Sequence, residues 1–358
     1  MAFLFYSDST ISFPDIASKY YFWIKQIAMN KVRWGILSTA KIGLKQVIPA
    51  MQKGQFIEVT AIASRDIDKA NQAAAELGIP KTYASYEELL ADPDIDAVYN
   101  PLPNHLHVPY TIKALQAGKH VLCEKPIGLD AADAQKLIDA AKQYPKLKVM
   151  EAFMYRFHPQ WQKAKAIVEQ GLLGEVKTIT AFFSYFNADA NNIRNKPETG
   201  GGGLMDIGCY CISFPRFIFG NEPQKVVAIA DIDPALQTDR ITSGMLDFGD
   251  GKTATFTCST QLEPYQRVHI FGTKGKLEIE IPVNAVADEP ARLSLQINKS
   301  IEEIHTEAVN QYTLQGDAFS QAILNDIPAP TPITDALNNM KVIDAVFKSA
   351  KEKAWINI

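Results

Sequence analysis

The feature that most constrains the fold is an alternation of short β-rich runs with longer stretches of helical spacing between about residues 31 and 152. Several of the helical stretches begin at Asp or Asn and end at Gly, as helices commonly do. Strands that alternate with helices in this way form a parallel sheet with helices on both faces. The sequence predicts a doubly wound α/β sheet with strands at 32–37, 58–63, 97–100, 120–123 and 148–152, and with helices at about 42–53, 66–77, 86–91, 105–117 and 130–143.

The sequence changes in character after Pro159. One helix is predicted at about 161–170, followed by a glycine-rich loop at 200–203 and by strand-like runs with hairpin signals at 249–251 and 273–275. The predicted strands lie at about 176–186, 225–231, 240–248, 253–260, 267–272, 276–281 and 292–296. Two closing helices are predicted at about 312–324 and 334–351. We therefore expect a second, α+β domain with an open, mainly antiparallel sheet. Such a sheet needs cover for its second face, so we also expect a homodimer or a higher homo-oligomer formed through it.

At 358 residues the chain suits two packed domains. We assign residues 29–153 to a dinucleotide-binding domain and 154–358 to a substrate-binding and dimerisation domain, and we expect the C-terminal helix to pack back on the first domain. Residues 1–28 have no assigned role. They are either part of the natural protein or the result of a start site upstream of Met29.

The composition excludes several classes of protein. With 47% apolar residues, 21% charged residues and a formal net charge of −4, the chain lacks the basic excess that nucleic acids require. No stretch has the length or apolarity of a membrane span. The four cysteines have neither CxxC spacing nor a histidine cluster, so no metal site or disulfide framework is indicated. We expect a soluble cytoplasmic protein with buried free thiols.

The turn after the first strand occupies the place of a GxGxxG dinucleotide fingerprint but retains only its third glycine. Small residues there let the backbone approach a pyrophosphate at the N-terminus of the next helix. An ordinary connection between a strand and a helix would have the same sequence, so this alternative stays open. The candidate cofactor contacts are Ser38, Thr39, Ala40, Ile42 and Gly43.

A second cofactor signal lies at the end of the second strand, about twenty residues after the turn. There NAD enzymes place an acid on the ribose 2′-hydroxyl, whereas a 2′-phosphate needs a cation and small donors. Ser64 and Arg65 fit the phosphate of NADP, although Arg65 could instead be a solvated residue entering the next helix. Asp66 is predicted to be the N-cap of that helix.

Two further segments follow strands three and four, at the carboxyl edge where doubly wound sheets bind ligands. The proline-stiffened loop from Asn100 through Pro101 and Asn104 to His105 could line the nicotinamide ribose, or Asn104 could only cap the following helix. Glu124 and Lys125 end the fourth strand. Neighbouring side chains on a strand point to opposite faces, so we do not expect these two to pair with each other.

The glycine run Gly200–Gly203 leads into a predicted helix that carries Asp206 and Tyr210. Residues four apart share a helical face, and this face can look into the cleft between the domains. Asp206 could alternatively serve only the helix dipole. The flexible glycine lead-in favours a functional site.

Three segments, VLCEKP at 121–126, MEAFMYRFHP at 150–159 and residues 201–210, resemble those of the glucose-fructose oxidoreductase/inositol dehydrogenase/rhizopine catabolism (Gfo/Idh/MocA) family. The resemblance runs from about Lys31 to the C-terminus. It is strongest to the branch containing dimeric dihydrodiol dehydrogenase, NADP-linked D-xylose dehydrogenase and glucose-fructose oxidoreductase. The nucleotide turns of that branch also depart from strict GxGxxG.

The resemblance implies a Rossmann domain and a role for several residues. Lys125 would lie near the substrate hydroxyl and the nicotinamide, with Glu124 beside it at the cofactor. Asp206 would orient the substrate and Tyr210 would transfer the proton. Tyrosine in place of histidine at 210 points away from the inositol dehydrogenase branch. Arg156 would contact cofactor or substrate.

The resemblance thus predicts an NADP-dependent enzyme that moves a hydride between the nicotinamide and a hydroxyl-bearing carbon of a sugar or cyclic diol. A phenol is a poor base at neutral pH, so we expect the Lys125 ammonium and the cationic ring of the bound cofactor to lower the pKa of Tyr210. Two alternatives stay open. One is a non-catalytic NADP- or sugar-sensing regulatory protein, and the other is an aldose-aldose oxidoreductase that retains its cofactor.

Overall fold

The computed structural model describes residues 31–358 and contains two β-sheets. The predictions for residues 1–28 lie outside the described residues. Both the parallel sheet and the second, mainly antiparallel sheet are present, so the predicted fold class is confirmed. The proposed domain boundaries stay a prediction.

The first sheet has six parallel strands in the order β3-β2-β1-β4-β5-β6. The five predicted strands are present, and β3 was missed because it has only three half-buried residues. The strand order reverses between β1 and β4, where such sheets have their ligand crevice. The strands are β1 (Val32–Leu37), β2 (Ile57–Ala63), β3 (Lys81–Tyr83), β4 (Ala97–Asn100), β5 (His120–Cys123) and β6 (Val149–Glu151).

The helices of this half lie where the sequence predicts them, with one difference. The first predicted helix begins as a π-helical turn, Gly43–Val47, before its single α-helical turn. A π turn widens the helix locally and is often found beside functional sites. The α-helices are α1 (Ile48–Met51), α2 (Ile67–Leu77), α3 (Tyr86–Ala91), α4 (Asn104–Gln116) and α5 (Ala131–Ala141).

The second sheet has nine strands in the order β14-β13-β12-β11-β7-β10-β9-β8-β15. All neighbours pair antiparallel except β7 and β10, which are parallel. The sequence did not predict β14 and β15, which are exposed edge strands with little apolar pattern. The strands are β7 (Val176–Phe186), β8 (Lys225–Ile232), β9 (Asp239–Gly249), β10 (Lys252–Ser259), β11 (Gln261–Gly272), β12 (Gly275–Ile279), β13 (Arg292–Ile297), β14 (Ser300–His305) and β15 (Ile356–Asn357).

One face of the second sheet is buried and the other is open. Two helices, α6 (Pro159–Glu169) and α7 (Cys209–Phe219), have buried apolar residues that join one core cluster with the inward residues of the strands. On the opposite face Ile229 is 78% exposed and Met245 is 39% exposed. This uncovered face is the one for which the sequence predicts self-association.

The last two helices cross back to the first sheet. Helix α8 (Gln311–Leu324) contacts β1, where Ser320 Oγ accepts a 3.1 Å hydrogen bond from Trp34 Nε1. Helix α9 (Ile333–Glu352) packs on α5, and Asp344 accepts a 2.9 Å bond from the Ala131 backbone N–H. The C-terminal segment therefore completes the helix layer of the N-terminal sheet.

Other features of residues 31–358 bear on the classes of protein considered above. None of their helices is long and apolar enough to cross a membrane. The four cysteines are buried and free. No group of three or more His, Cys, Asp or Glu residues in this part of the chain is arranged to hold a metal ion.

Candidate active site

A cleft with a volume of about 1160 Å³ lies between the carboxyl edge of the first sheet and the second sheet. The strand order places this edge at the topological switch point, so the cleft is the expected ligand site of the fold. Eight of the predicted site residues line it, namely Ala40, Ile42, Pro101, Asn104, Glu124, Lys125, Asp206 and Tyr210.

Lys125 and Asp206 form an ion pair across the cleft. Lys125 Nζ donates to the backbone oxygen of Asp206 at 2.8 Å and lies 3.5 Å from its carboxylate Oδ1. Both side chains are nearly buried, at 13% and 14% exposure. Burial opposes both charges and is the largest single effect, but the surrounding groups together outweigh it, with the partner's charge foremost among them, so the pKa of Lys125 is raised and that of Asp206 is lowered. Both groups are therefore charged at neutral pH.

Two further residues, which the sequence analysis did not single out, bind the Asp206 carboxylate. The Tyr185 hydroxyl donates to Oδ2 at 2.5 Å, and Arg194 Nε donates to Oδ1 at 3.1 Å. Tyr185 lies near the end of β7, and Arg194 lies in the loop before the glycine run. No local motif marks either residue, because only the fold brings them to Asp206.

Glu124 points to a different partner from its neighbour Lys125, as the alternation of side chains on a strand predicts. The buried Tyr99 hydroxyl donates to Glu124 Oε1 at 2.6 Å. Burial raises the pKa of Glu124 and that of Tyr99. The hydrogen bond from Tyr99 therefore holds the Glu124 carboxyl group at the wall of the cleft.

Tyr210 is 4% exposed, and its ring packs edge-on against Phe153. Its hydroxyl donates to Met154 Sδ at 3.4 Å, while Lys125 Nζ lies 5.0 Å from the ring centroid. Burial raises the pKa of Tyr210 well above 10. In the protein without cofactor, Lys125 therefore does not bring this pKa below its ordinary value, because desolvation of the phenolate is the larger effect. The predicted effect of the nicotinamide ring stays a prediction.

The proline-rich loop after β4 reaches the cleft only in part. Pro101 and Asn104 line it, and Asn104 Nδ2 donates to the Gly200 oxygen at 2.8 Å, which links the loop to the glycine run. Asn104 does not cap α4, since Pro103 is at the N-cap. Asn100 is fully buried and binds the backbone oxygen of His107, and His105 does not line the cleft.

His107, a buried residue of α4, contacts two walls of the cleft. Its ring nitrogens lie 2.7 Å from the Pro126 oxygen and 2.6 Å from the Leu102 oxygen. Burial lowers its pKa to about 4. A neutral ring has one N–H and donates to only one of these two oxygens, while its contacts with both keep the loop after β4 close to the loop after β5 that carries Lys125.

The nucleotide turn has features that fit a dinucleotide. Ser38 has a positive φ of 96°, and its Oγ accepts a 3.2 Å bond from the Ala40 backbone N–H, so the turn is tight. It leads into the first turn of a helix, where backbone N–H groups lack intrahelical partners. Thr39 and Gly43 lie in the same segment but do not line the cleft.

The end of β2 leaves an arginine available beside this turn. The Asp66 side chain caps α2 by accepting from Lys69 N, as predicted, so this carboxylate is occupied. Ser64 is buried and accepts from the Asp66 backbone N–H, whereas Arg65 is exposed. The residues present therefore fit a phosphate group at this position better than a bare ribose hydroxyl.

Arg156 is not in the cleft. Its guanidinium is 9% exposed, pairs with Asp335 at 2.8 Å and donates to Ser213 Oγ at 2.8 Å. Arg156 lies in the short helical turn Met154–Phe157 that comes after β6. The predicted contact with cofactor or substrate is therefore wrong, because Arg156 is held in the interior by a buried ion pair with Asp335.

Two family models match the chain. Residues 32–153 match the oxidoreductase family with an NAD-binding Rossmann fold, and residues 161–278 match the GFO/IDH/MocA C-terminal domain. Together they cover more than half of the chain and include both walls of the cleft.

Several known proteins are similar over almost the whole chain. An uncharacterised oxidoreductase of Rhizobium meliloti is 43% identical over 91% of this chain and 99% of its own length. D-xylose 1-dehydrogenase (NADP(+)) 2 of Haloferax volcanii is 36% identical over the same shares.

Solved structures agree with these relatives. A 3-ketoreductase from Actinomadura kijaniata, in complex with NADP and TDP-benzene, has a TM-score of 0.85 at 30% identity and covers 89% of this chain and 98% of its own. An aldose-aldose oxidoreductase from Caulobacter crescentus has a TM-score of 0.86 at 28% identity, over 92% and 100%. The chain therefore belongs to the Gfo/Idh/MocA family of NAD(P)-dependent oxidoreductases.

Proposed function

We propose that the protein is an NADP-dependent dehydrogenase or reductase that acts on a hydroxyl-bearing or carbonyl carbon of a sugar or cyclic diol. The observation that carries this proposal is the charged Lys125–Asp206 pair beside the buried Tyr210 ring, in the cleft at the switch point of a Rossmann sheet. The nicotinamide would accept or supply the hydride when bound.

Each of the three residues has a distinct role in the proposal. Tyr210 holds its proton at neutral pH, because burial raises its pKa, so it is suited to donate to an oxygen that gains negative charge during reduction. Lys125 stabilises the same oxygen electrostatically. Asp206 orients the substrate and keeps Lys125 charged. In the oxidative direction Tyr210 must instead accept a proton, which demands a nearby cation.

The cofactor would lie along the Ser38–Gly43 turn, with Ser64 and Arg65 at the 2′-phosphate. Ala40, Ile42, Pro101, Asn104 and Glu124 would contact the remainder of the molecule from the cleft wall. Two relatives support NADP over NAD, since the Haloferax volcanii enzyme is named for NADP and the Actinomadura kijaniata structure contains it.

The substrate class is supported by the names of the relatives. They include a D-xylose dehydrogenase, and a trans-1,2-dihydrobenzene-1,2-diol dehydrogenase of Xenopus tropicalis that is 36% identical over 69% of this chain. The similarity to an aldose-aldose oxidoreductase adds the alternative of a retained cofactor. Both substrate types offer vicinal hydroxyl groups to Asp206.

The test is formation of reduced nicotinamide, followed by absorbance, on incubation with a panel of aldoses and cyclic diols and with NAD or NADP. Turnover with at least one substrate and a preference for NADP supports the proposal. Cofactor binding without turnover across the whole panel would favour the sensing protein. Cofactor that survives purification and is reduced stoichiometrically would favour the aldose-aldose oxidoreductase.

We further propose a cytoplasmic homodimer formed through the open face of the second sheet. The exposed apolar residues on that face, including Ile229 and Met245, support it. Light scattering of the wild type and of Ile229→Glu measures the mass directly. A dimer that becomes a folded monomer in the variant supports the proposal, and a monomeric wild type contradicts it.

A further inference from the structure

Arg194 differs from the other charged residues around Asp206 because most of its hydrogen-bonding capacity is unused. A guanidinium has five N–H donors. Within residues 31–358 only Nε has a protein acceptor, the Asp206 carboxylate at 3.1 Å. The side chain is 42% exposed and lines the cleft. The two terminal nitrogens are therefore available to a bound molecule.

The loop that carries Arg194 is held firmly against the glycine run. The backbone oxygen of Arg194 accepts a 2.8 Å bond from Gly202 N, and a Cβ at Gly201 would lie 2.5 Å from the same oxygen. The neighbouring Asn195 is buried and donates to the backbone oxygens of Asn187 and Asp189. The position of Arg194 is thus built into the fold, and is not that of a mobile surface arginine.

Two positively charged side chains surround the single negative charge of the Asp206 carboxylate. Lys125 and Arg194 both approach Oδ1 of this one carboxylate, at 3.5 Å and 3.1 Å. The next acid along the wall, Glu124, accepts its hydrogen bond from Tyr99 and forms no ion pair within 4.0 Å with either cation. A cation in a partly desolvated cleft is costly unless an anion accompanies it.

A second arginine that lines the cleft, Arg267, has carboxylate partners for its charge. Arg267 lies 2.8 Å from Glu278 and 3.6 Å from Glu280, and its side chain is only 22% exposed. Glu278 pairs with Arg267 directly, while Glu280 also binds Arg292 at 2.6 Å, so the two arginines share two carboxylates and Arg267 provides no unpaired positive charge to a ligand. Arg194 and Arg267 therefore form a matched pair for comparison.

We infer that Arg194 binds an oxyanion of the substrate, so that the sugar this site takes carries a carboxylate or a phosphate. The inference rests on the proposed function and narrows its substrate class. The fork of the guanidinium matches either group in a bidentate manner. Because Lys125 and Arg194 meet at the same carboxylate oxygen, the anionic group and the reacting hydroxyl must belong to one small molecule.

The test compares three probes that share the anomeric hydroxyl and differ in charge at the far carbon: D-glucose, D-glucuronate and D-glucose 6-phosphate. For the wild type we expect kcat/KM to be about 10- to 100-fold higher for one charged probe than for glucose, as a charge-assisted hydrogen bond allows. Carboxylate and phosphate are distinguished by which probe gains.

Arg194→Gln should remove this preference through KM, and Arg194→Lys should retain part of it. Arg267→Gln, the matched control, should leave the ratio of charged to neutral probe unchanged. An equal loss for all three probes in Arg194→Gln would overturn the inference, since Arg194 would then act only through Asp206. Circular dichroism confirms that each variant is folded.

Failure of the proposed function gives a different pattern, namely no reduced nicotinamide from any probe with either cofactor. In that case calorimetry still tests the role of Arg194, because it measures the binding of each of the three probes to the protein with NADP. Tighter binding of a charged probe that is lost in Arg194→Gln supports the inference, and equal or absent binding overturns it.

Discussion

On one wall of the cleft, the lining residues lie in the turns that follow parallel strands, whereas on the other wall side chains from separate segments meet at one carboxylate. The first wall is therefore built at the strand ends that form the switch point. The second depends on Tyr185, Arg194 and Asp206, which reach each other only through the loop and strand that precede the glycine run.

The two walls differ in which ligand their residues are placed to recognise. The turn at Ser38 and the arginine at the end of β2 suit a constant ligand, the dinucleotide. The opposite wall is held by side chains that can change without disturbing a strand. We therefore expect variants of the first wall to alter cofactor use, and variants around Asp206 to alter the reaction and the substrate.

The largest expected effect comes from the residues where the two walls meet. Tyr210→Phe and Lys125→Met should each lower kcat by about 10²–10⁴-fold, because each removes a group proposed to handle the proton or the developing charge. Steady-state kinetics with the best panel substrate measures this. Tyr144→Phe removes a hydroxyl outside the cleft and serves as the control. Normal turnover in both variants would contradict the proposed roles.

The second prediction tests the support of the wall around Asp206. Gly202 has a φ of 117°, and a Cβ there would overlap Asp239 Oδ1. Gly202→Ala should lower the free energy of unfolding by about 4 kcal/mol through backbone strain and overpacking. Urea denaturation measures it.

Gly251→Ala is the matched control for Gly202→Ala. Gly251 also has a positive φ, of 71°, but nothing lies within 4 Å of an added Cβ. The free energy of unfolding of Gly251→Ala should fall by only about 1 kcal/mol, which is the cost of the left-handed conformation for alanine. Equal losses in the two variants would show that Asp239 moves away freely and does not hold the turn.

The third prediction concerns the buried junction of the two halves. Glu151 Oε1 accepts from the Ile127 backbone N–H at 2.7 Å, and burial, followed by the charge of Asp335, raises its pKa to about 8. The unfolded chain releases this proton near the ordinary value of 4.5, so the wild type loses stability as pH rises from 4.5 to 8.

Glu151→Gln removes that loss. The variant should match the wild type near pH 4.5 and exceed its free energy of unfolding by roughly 4 kcal/mol at pH 8, because the unfolded wild type gains about 1.4 kcal/mol over the folded state for each pH unit between the two pKa values. Denaturation at both pH values measures the difference. Glu289→Gln, at an exposed position, controls for the loss of one charge. A gain that does not grow with pH would contradict an acid buried in its neutral form.

The smallest effect is expected on the cofactor wall. Arg65→Ala should weaken the preference for NADP over NAD by about 2 kcal/mol, or about 30-fold, because it removes one charge-assisted hydrogen bond to the 2′-phosphate. Ratios of kcat/KM for the two cofactors measure it, with Lys136→Ala, an exposed cation on α5, as the control. An unchanged ratio would remove Arg65 from the cofactor site.

The sequence predicted most of the elements because their patterns are local. The strand from Val32 to Leu37 and the long strand from Val176 to Phe186 were placed at their observed bounds, since their apolar and β-branched residues distinguish them from the helices. The short β3 and the edge strands β14 and β15 were missed. Their pairing is decided by neighbours in the sheet, and their exposed residues carry no clear period.

The candidate site was predictable only where a motif or a family resemblance marked it. Lys125, Asp206 and Tyr210 lie together in the cleft. Tyr185 and Arg194 were missed because their contacts with Asp206 span twelve or more residues of loop and strand. Arg156 and Asn100 are drawn into the interior by buried partners, which the sequence alone does not show. The pKa of Tyr210 depends on burial, which a motif does not report.

The return of α8 and α9 to the first sheet has a consequence for how the chain is made. During translation, β1 leaves the ribosome long before Phe319 and Ser320, the residues that contact Trp34. The Trp34 indole on one face of the nascent sheet therefore stays uncovered until almost the whole polypeptide has been synthesised. The two halves of this protein therefore cannot complete their folding independently during synthesis, because α8 completes the cover of the N-terminal sheet.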